Sequence, residues 1–465
     1  MPVQHCPFCL DRRKPVRGHP TNRRSRRWLL RNASRMRLAT LGFAAAKTAA
    51  TFHYVPKDAT VFDVSFGFGD HIRSLVEKGK LEWVLDDKPV YAARMPLLPL
   101  VYAGLARITQ DLRTATIIRN FVLSGLVASS VRYLLDLQPD RGQASNVWSA
   151  LCLLLSLSPP VVKHASSPHY EEGFLLEIVP IWCVAFLTTA RSIWDGAAAP
   201  SHGVVVLTVL SGLSAFMLKS SMMLLLLLSE IAALASALLR GDRWSMLPVA
   251  LSGAAVAAWG IRNQRVTGRF ALRTSWDGEN LYRGWSEGGY RLYPDVDLDR
   301  LFDSQVAYRA DGESVVLAQQ PSMRGFEDEW AWDSYYRREA LSWMKDHPVS
   351  GTKYTLRKAW NFFASIKATP YTRTTDARRG SRLTRIESAT TSSWLLIGRG
   401  LQLLMLRLMW ERWQSRSAGD RALVSAVIAA NAAYSLPYLT GFNYERHVTV
   451  YLALVASCVA MLASY

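Results

Sequence analysis

The chain has 465 residues, half of them hydrophobic, and it carries a formal net charge of +18. The hydrophobic residues lie in runs long enough to cross a bilayer core about 30 Å thick, which takes roughly 20 apolar residues per helix, so a soluble globular protein is excluded. The sequence has no P-loop, no G-x-S-x-G elbow and no G-x-G-x-x-G turn after a strand, so ATP-driven pumping, α/β-hydrolase chemistry and a soluble nucleotide-sugar enzyme have no support.

The N-terminal segment, residues 1–36, is strongly basic and contains one acid, Asp11. By the positive-inside rule we interpret it as a cytoplasmic anchor. A nucleic-acid arm is the alternative, but no aromatic-interleaved platform follows, so we expect no nucleic-acid partner. Cys6-Pro-Phe-Cys9 is a lone C-x-x-C motif. A structural zinc site needs four ligands and only His5 and His19 lie nearby, so zinc is the less favoured interpretation.

Ten segments are predicted to span the membrane. They are residues 37–54, 114–136, 146–162, 173–191, 203–218, 221–239, 244–261, 393–410, 421–439 and 447–464. Residues 95–107 are also apolar but too short to cross, and we expect them to lie in the outer interface. If they did cross, the orientation of every later span would invert.

The predicted fold class is therefore mostly α, a polytopic transmembrane helical protein with an extracytoplasmic soluble insert. Its first membrane block is 37–261, with an outer loop at 55–113 that carries candidate catalytic residues. The soluble insert is 262–392, and 393–465 forms the C-terminal block. Counting from a cytoplasmic N-terminus also places 163–172, 219–220 and 440–446 outside.

Within the insert, Glu327 to Asp346 has a helical pattern that Pro348 ends. Its predicted packed side consists of Trp330, Tyr335, Leu341 and Met344. Its predicted solvent side consists of Arg337, Arg338 and Lys345.

Two acids in the first outer loop, Asp63 and Asp70, are candidate catalytic residues. Asp70 follows Phe66-Gly67-Phe68-Gly69, where the glycines permit a close backbone approach, and precedes a helical stretch that ends at Gly79. One interpretation of Asp70 is a helix N-cap. The other is a general base that takes a proton from an acceptor hydroxyl.

Basic residues recur where apolar segments meet the predicted outer face. They are Lys88, Arg94, Lys219, Arg262, Arg265 and Arg446. Any one of them is explained by snorkelling towards lipid headgroups. Lys219 is the exception, because a charge between two very apolar helices is a functional candidate by default. Several cations converging on one face would suit a lipid-linked phosphate.

A loop between spans holds His164, His169, Glu171 and Glu172, and His447 opens the last span. His169, Glu171, Glu172 and His447 are candidate metal or acceptor contacts. A divalent cation is one interpretation of the loop, but the sequence assigns no metal ligand and no certain cofactor.

In chain order, several motifs resemble those of the multispanning glycosyltransferases of the C-type fold (GT-C). The closest groups are lipid A aminoarabinose transferases and bacterial relatives of protein O-mannosyltransferases. The matching segments are Asp70 to Gly79, Arg94-Met95-Pro96-Leu97-Leu98-Pro99-Leu100, Pro159-Pro160 before Tyr170-Glu171-Glu172, Gly212 to Lys219, Trp259 to Phe270, Gly278 to Tyr282, Tyr336 to Pro348 and Tyr444-Glu445-Arg446-His447.

The resemblance implies an inverting transferase in a bacterial cytoplasmic (inner) membrane, active on the outer side. Its donor would be a sugar linked to polyprenyl phosphate, held among membrane lipids, and its acceptor a lipid, glycan or protein hydroxyl. Asp70 would be the base, with Asp63 as the alternative, and Lys219, Arg262 and Arg446 would stabilise the phosphate charge. A polytopic transporter and a non-catalytic envelope-assembly partner remain the alternative functions.

Overall fold

The computed structural model describes residues 23–136, 158–194, 201–241, 243–295, 298, 300–303, 306–308, 314–317, 320–366, 381–415 and 417–464. Cys6 and Cys9, most of the predicted span 146–162 and part of the loop before residue 392 lie outside these residues.

The described chain is mostly helical. Its helices are α1 Arg23–Tyr54, α2 Phe68–Lys78, α3 Leu97–Ala106, α4 Leu112–Asp136, α5 Pro159–Ser166, α6 Glu172–Trp194, α7 His202–Leu218, α8 Met223–Arg240, α9 Met246–Thr267, α10 Asp277–Gly284, α11 Glu287–Leu292, α12 Arg300–Asp303, α13 Glu329–Asp346, α14 Pro348–Phe363, α15 Ser381–Gln414, α16 Ala418–Thr440 and α17 Glu445–Ala463. Two antiparallel hairpins pair β1 Trp83–Leu85 with β2 Lys88–Val90 and β3 Val306–Tyr308 with β4 Ser314–Val316.

Six of the described helical segments are long and apolar enough to cross a membrane, so the protein is a multi-pass helical membrane protein. They are Leu112–Leu134, Glu172–Trp194, Ser220–Leu239, Arg243–Thr267, Ala418–Thr440 and Glu445–Ala463. Each coincides with a predicted span, which confirms six of the ten. The predicted spans 37–54 and 393–410 lie within the more polar helices α1 and α15, and α7 has only 17 residues.

Helices α6 and α17 form the centre of the bundle, and nearly all their side chains are buried. Helix α9, by contrast, exposes Leu247, Leu251 and Ile261, as expected of a lipid-facing surface. Helix α1 joins the centre through a buried ion pair in which Nζ of Lys47 lies 2.5 Å from Oε1 of Glu177. The charge within the first predicted span is therefore paired inside the bundle.

Backbone hydrogen bonds hold the two ends of the first outer loop together. The Val61 N–H donates to the Gln110 carbonyl at 2.9 Å, and the Leu112 N–H donates to the Ala59 carbonyl at 2.9 Å. Helix α3 between them has 10 residues, and at 1.5 Å per residue it is about 15 Å long, roughly half a bilayer core. The apolar segment 95–107 therefore does not cross.

The first outer loop packs against the insert. The Glu329 carboxylate accepts hydrogen bonds from the Tyr91 and Ala92 N–H groups at 3.1 and 3.0 Å. The Ser275 N–H donates to the Ala92 carbonyl at 2.9 Å. The two segments consequently lie on the same side of the membrane-spanning helices.

The helix predicted within the insert is α13, which Asp328 caps by accepting from the Trp330 and Ala331 N–H groups. The predicted packed side is only partly right, because Leu341 and Met344 are exposed while Tyr336 and Ala340 are buried. The side turned inward carries Trp332, Tyr336 and Ala340 together with Asp333, whose buried carboxylate binds Arg273 at 2.6 Å. A search for apolar residues at a period of 3.6 gives no weight to a carboxylate, so it does not predict one that is buried with a partner far away in the sequence.

Gly278 has no room for a side chain, since a Cβ there would lie 2.1 Å from the Asp333 carbonyl oxygen. We expect Gly278→Ala to lower the free energy of unfolding by about 1–3 kcal/mol, the usual cost of overpacking. Thermal unfolding of the purified protein measures this effect. Gly104→Ala is the matched control, because its Cβ would meet nothing within 4 Å in helix α3. An equal loss for both variants would contradict the packing described here.

Candidate functional site

Four ionisable side chains meet where spanning helices end on the side of the insert. Nζ of Lys219, between α7 and α8, lies 2.5 Å from Oε1 of Glu172 at the start of α6. Nε2 of His447 lies 3.1 Å from the same oxygen, and Nε of Arg446 lies 3.6 Å from Oε2. One buried carboxylate thus contacts two cations and an imidazole from two other chain segments, one with Lys219 and one with Arg446 and His447.

The tautomer of His447 follows from its two neighbours. The Tyr444 N–H donates to Nδ1 of His447 at 3.1 Å, so a neutral ring carries its proton on Nε2 and donates it to Glu172. The ring also stacks on Tyr438, with centroids 4.3 Å apart. His447 therefore orients Glu172 and is not itself a free base.

Beside this cluster lie two adjoining pockets, together named the cavity and separately its lysine lobe and its aromatic lobe, whose walls share Arg94, Glu171 and Asn280. The lysine lobe has a volume of about 220 Å³. Its polar lining includes Lys219, Ser220, Ser221, Thr274 and Asp277. The aromatic lobe has a volume of about 260 Å³. Its lining includes Phe66, Tyr170, Trp276, Phe302, Phe442, Glu279, Arg283 and Arg446.

Arg94 is fixed between the first outer loop and the insert. Its Nε donates to the Phe66 carbonyl at 3.1 Å. Its guanidinium lies 4.4 Å from the ring centroid of Trp276 and 5.0 Å from that of Phe68. These contacts orient the guanidinium in the wall shared by both lobes, where stacking and directed N–H groups suit an anionic ligand.

Two further arginines line the aromatic lobe. Arg446 lies between Tyr170 and Tyr444, with distances of 4.6 and 4.9 Å to the ring centroids. Arg283 pairs with Glu279 at 2.5 Å, one helical turn earlier. Both cations are partly buried, so their charges are screened less than at an open surface.

Glu171 differs from its neighbour Glu172 in exposure and in partners. Its side chain is half-buried and lines both lobes. Within the part of the chain that the structure describes, its carboxylate has no hydrogen-bond or ion-pair partner. Glu172, the next residue, pairs through Oε1 with Lys219 and His447 and lies 3.6 Å from Arg446 through Oε2. Glu171 is therefore the cavity carboxylate available to a ligand.

Asp277 ties the insert to the break between α7 and α8. Its Oδ1 accepts hydrogen bonds from Oγ of Ser220 at 2.9 Å and from Oγ1 of Thr274 at 2.7 Å. Burial raises the pKa of this carboxyl above its ordinary value. A protonated Asp277 would add no negative charge to the lysine lobe.

Three of the predicted phosphate-binding residues lie elsewhere. Lys88 donates to the Phe326 carbonyl and holds the β1–β2 hairpin on the insert. Arg262 donates to the carbonyls of Tyr91 and Leu81, which fixes the first outer loop on α9. Arg265 is exposed on the last turns of α9. Of the six predicted cations, the structure brings Arg94, Lys219 and Arg446 to the cavity.

The two predicted catalytic acids do not line either lobe. Asp70 is exposed and lines a separate surface pocket of about 220 Å³ with Arg73, Glu77 and Trp83. The N-cap interpretation of Asp70 is wrong, because Gly67, with φ 75°, precedes the first residue of α2 and Asp70 lies in the first turn.

Asp63 has a local structural contact. It accepts hydrogen bonds from the Thr60 N–H and hydroxyl at 2.7 and 2.8 Å, and these bonds lower the pKa of its carboxyl.

No group of three or more His, Cys, Asp and Glu side chains that could hold a metal ion is present among the described residues. His169 lines the aromatic lobe, but its Nδ1 accepts the Ser65 N–H at 3.1 Å. Burial also lowers the pKa of His169. The divalent-cation interpretation of this loop gains no support from these contacts.

Sequence reasoning missed Arg283, Asp277 and the aromatic lining of the second lobe. The signal for Arg283 was present, since Glu279 and Arg283 are spaced i, i+4 on a short helix next to a quoted motif. The closeness of Phe302 and Phe442 had no local signal, because they are 140 residues apart in the chain.

Comparison with protein-family models, curated proteins and solved structures finds no match to this chain. The resemblance to GT-C glycosyltransferases therefore remains a prediction from the quoted motifs, and the function must be argued from the cavity.

Proposed function

We propose that this protein is a membrane glycosyltransferase that uses a polyprenyl-phosphate-linked sugar as donor. The observation that carries the proposal is the cavity lined by Arg94, Lys219 and Arg446, from three distant segments, and by Glu171, whose carboxylate has no hydrogen-bond or ion-pair partner among the described residues. In the proposal the cavity opens on the outer side of a bacterial cytoplasmic membrane. The acceptor is a hydroxyl of an envelope lipid, glycan or protein.

The charges of the lysine lobe suit a phosphate monoanion or dianion. Lys219 is a compact cation with three N–H donors, and Arg94 presents a planar guanidinium. Ser220 and Ser221 add hydroxyl groups in the same wall. Ser220 and Ser221 lie at the start of the candidate span Ser220–Leu239 and Lys219 directly precedes it, so a phosphate bound here could keep its isoprenoid chain in the bilayer.

The reaction is a single displacement. The acceptor oxygen forms a bond to the anomeric carbon while the bond from that carbon to the phosphate oxygen breaks, which inverts the configuration. The electron pair leaves with polyprenyl phosphate, whose growing charge Arg94 and Lys219 stabilise. The acceptor proton passes to Glu171, which takes the base role first predicted for Asp70.

One observation favours the assembly-partner alternative. That hypothesis predicts that Asp63, Asp70 and Lys219 lie in separate places, and they do. It gives no reason, however, for a half-buried carboxylate that has no partner among the described residues and shares a cavity with three cations. The transferase accounts for that arrangement.

The test is a turnover assay with purified full-length protein in nanodiscs. It measures release of polyprenyl phosphate from synthetic polyprenyl-phosphate sugars in the presence of an envelope extract as acceptor. Release that depends on both donor and extract supports the proposal. The absence of release across pentose, hexose and amino-sugar donors would count against it.

Arg94→Gln is expected to raise KM for the donor by about 10- to 100-fold, because a hydrogen bond to a charged group contributes about 1.5–3 kcal/mol. Arg107→Gln is the matched control, since Arg107 is exposed at the end of α3, away from both lobes. Equal donor KM values for the two variants would remove Arg94 from the phosphate site.

A further inference from the structure

Helix α14 has apolar side chains on two opposite faces. One face is buried in the protein through Gly351, Tyr354 and Phe362. On the opposite face, Val349, Leu356 and Trp360 are 67%, 64% and 66% exposed. Their spacing of 7 and then 4 residues places the three side chains in one narrow stripe along the helix.

The C-terminal end of this helix lies against the spanning bundle. The ring of Phe362 is 5.9 Å from that of Tyr438 on α16 and 4.9 Å from that of Tyr451 on α17. Beyond the helix, the Arg399 guanidinium on α15 donates to the Ser365 carbonyl at 3.0 Å. The helix that carries the exposed stripe therefore adjoins the spanning bundle at its C-terminal end.

We propose that α14 lies in the membrane interface, with Val349, Leu356 and Trp360 inserted at the boundary between headgroups and acyl chains. Three large apolar side chains in one stripe are costly in water, and tryptophan is enriched at this boundary. Lys353, exposed between Val349 and Leu356, can reach lipid phosphates from the same stripe. The occupant is the bilayer in which the protein itself sits.

This contact would hold the insert over the cavity. Nζ of Lys358, on the buried face of α14, donates to the Gly284 carbonyl at 3.0 Å and to the Gly441 carbonyl at 2.7 Å. Gly441 lines the lysine lobe. Through Lys358, a helix that lies in the interface is thus hydrogen-bonded to a residue of the cavity wall.

The experiment is electron paramagnetic resonance of nitroxide labels in nanodiscs of anionic and zwitterionic phospholipids. The five native cysteines are replaced by alanine, and the protein must remain monodisperse. The test label is at Leu356→Cys. Arg338→Cys on α13 is the water-exposed control, and Leu251→Cys on α9 is the lipid-exposed control. Collisions with oxygen and with a water-soluble nickel chelate are compared.

We expect the ratio of oxygen to chelate collisions at Leu356→Cys to be several-fold above that at Arg338→Cys and close to that at Leu251→Cys. Val349→Cys and Trp360→Cys should behave alike, which keeps the proposal testable if one variant does not fold. Chelate access equal to that of Arg338→Cys would overturn the proposal. Exclusion of both reagents would also overturn it, because another segment of the chain would then cover the stripe. Neither readout depends on the transferase activity.

Discussion

Replacing Glu171 by glutamine is expected to lower kcat by about 10²–10⁴-fold, the usual contribution of a general base. Glutamine keeps the size and hydrogen-bonding oxygen of the side chain but cannot take the acceptor proton. In the proposed site Arg94 and Lys219, rather than Glu171, bind the donor phosphate, so donor KM should change little. The measurement is initial-rate kinetics of polyprenyl phosphate release at saturating donor and acceptor.

Two variants make this prediction specific. Glu77→Gln is the matched control, because Glu77 is an exposed carboxylate in the pocket that contains Asp70, and its removal should leave kcat unchanged. Asp70→Asn separates the two base assignments. Full activity in Glu171→Gln together with loss of activity in Asp70→Asn would return the base role to the first outer loop.

The second large effect concerns Glu172. Glu172→Gln removes the buried carboxylate that pairs with Lys219 at 2.5 Å and contacts Arg446 at 3.6 Å. Breaking a buried ion pair leaves uncompensated charge and costs about 3–5 kcal/mol. We therefore expect a large fall in the midpoint of thermal unfolding in detergent, with loss of activity as a consequence.

A partly exposed ion pair gives the comparison. Lys78 and Glu82 lie 2.8 Å apart, with the lysine 57% and the glutamate 15% exposed, so Glu82→Gln should lower stability much less than Glu172→Gln. The double variant Glu172→Gln/Lys219→Met should recover part of the loss, because it removes both charges of the pair. Equal effects of Glu172→Gln and Glu82→Gln would contradict the burial of the cluster.

The spanning helices were predictable because an apolar run of sufficient length has few other stable structures. Helix α2 was also predictable, since Gly79, with φ 67°, ends it in the left-handed conformation that glycine favours. The rotation of α2 about its axis was not predictable from the sequence. It depends on packing of Phe68 and Ile72 against the rest of the protein, and it turns Asp70 towards solvent.

The cations of the site were predictable in part. Arg94, Lys219 and Arg446 each lie where an apolar segment begins or ends on the predicted outer side, and that position is the signal that made them candidates. Arg262 has the same position in sequence, but the carbonyls of Leu81 and Tyr91 accept its donors. Only the folded first outer loop supplies those carbonyls, so no local pattern distinguishes Arg262 from Arg94.

The choice between Glu171 and Glu172 illustrates the same limit. The two carboxylates are adjacent in the chain and chemically alike. Glu172 is the one that pairs with Lys219 and His447 inside the protein. These two partners lie 47 and 275 residues further along the chain. The pairing of one leaves the other available, and that distinction exists only after folding.

The place of donor binding can be measured directly by photo-crosslinking. A polyprenyl-phosphate sugar with a diazirine on its first isoprene unit is irradiated with the protein in nanodiscs, and the adducts are mapped by mass spectrometry. The transferase account predicts adducts at residues 218–221 and at Pro437, Thr440 and Gly441, which line the lysine lobe, and their loss when unlabelled donor is added. Competed adducts confined to residues 70–84, around Asp70, or the absence of any competed adduct, would contradict it.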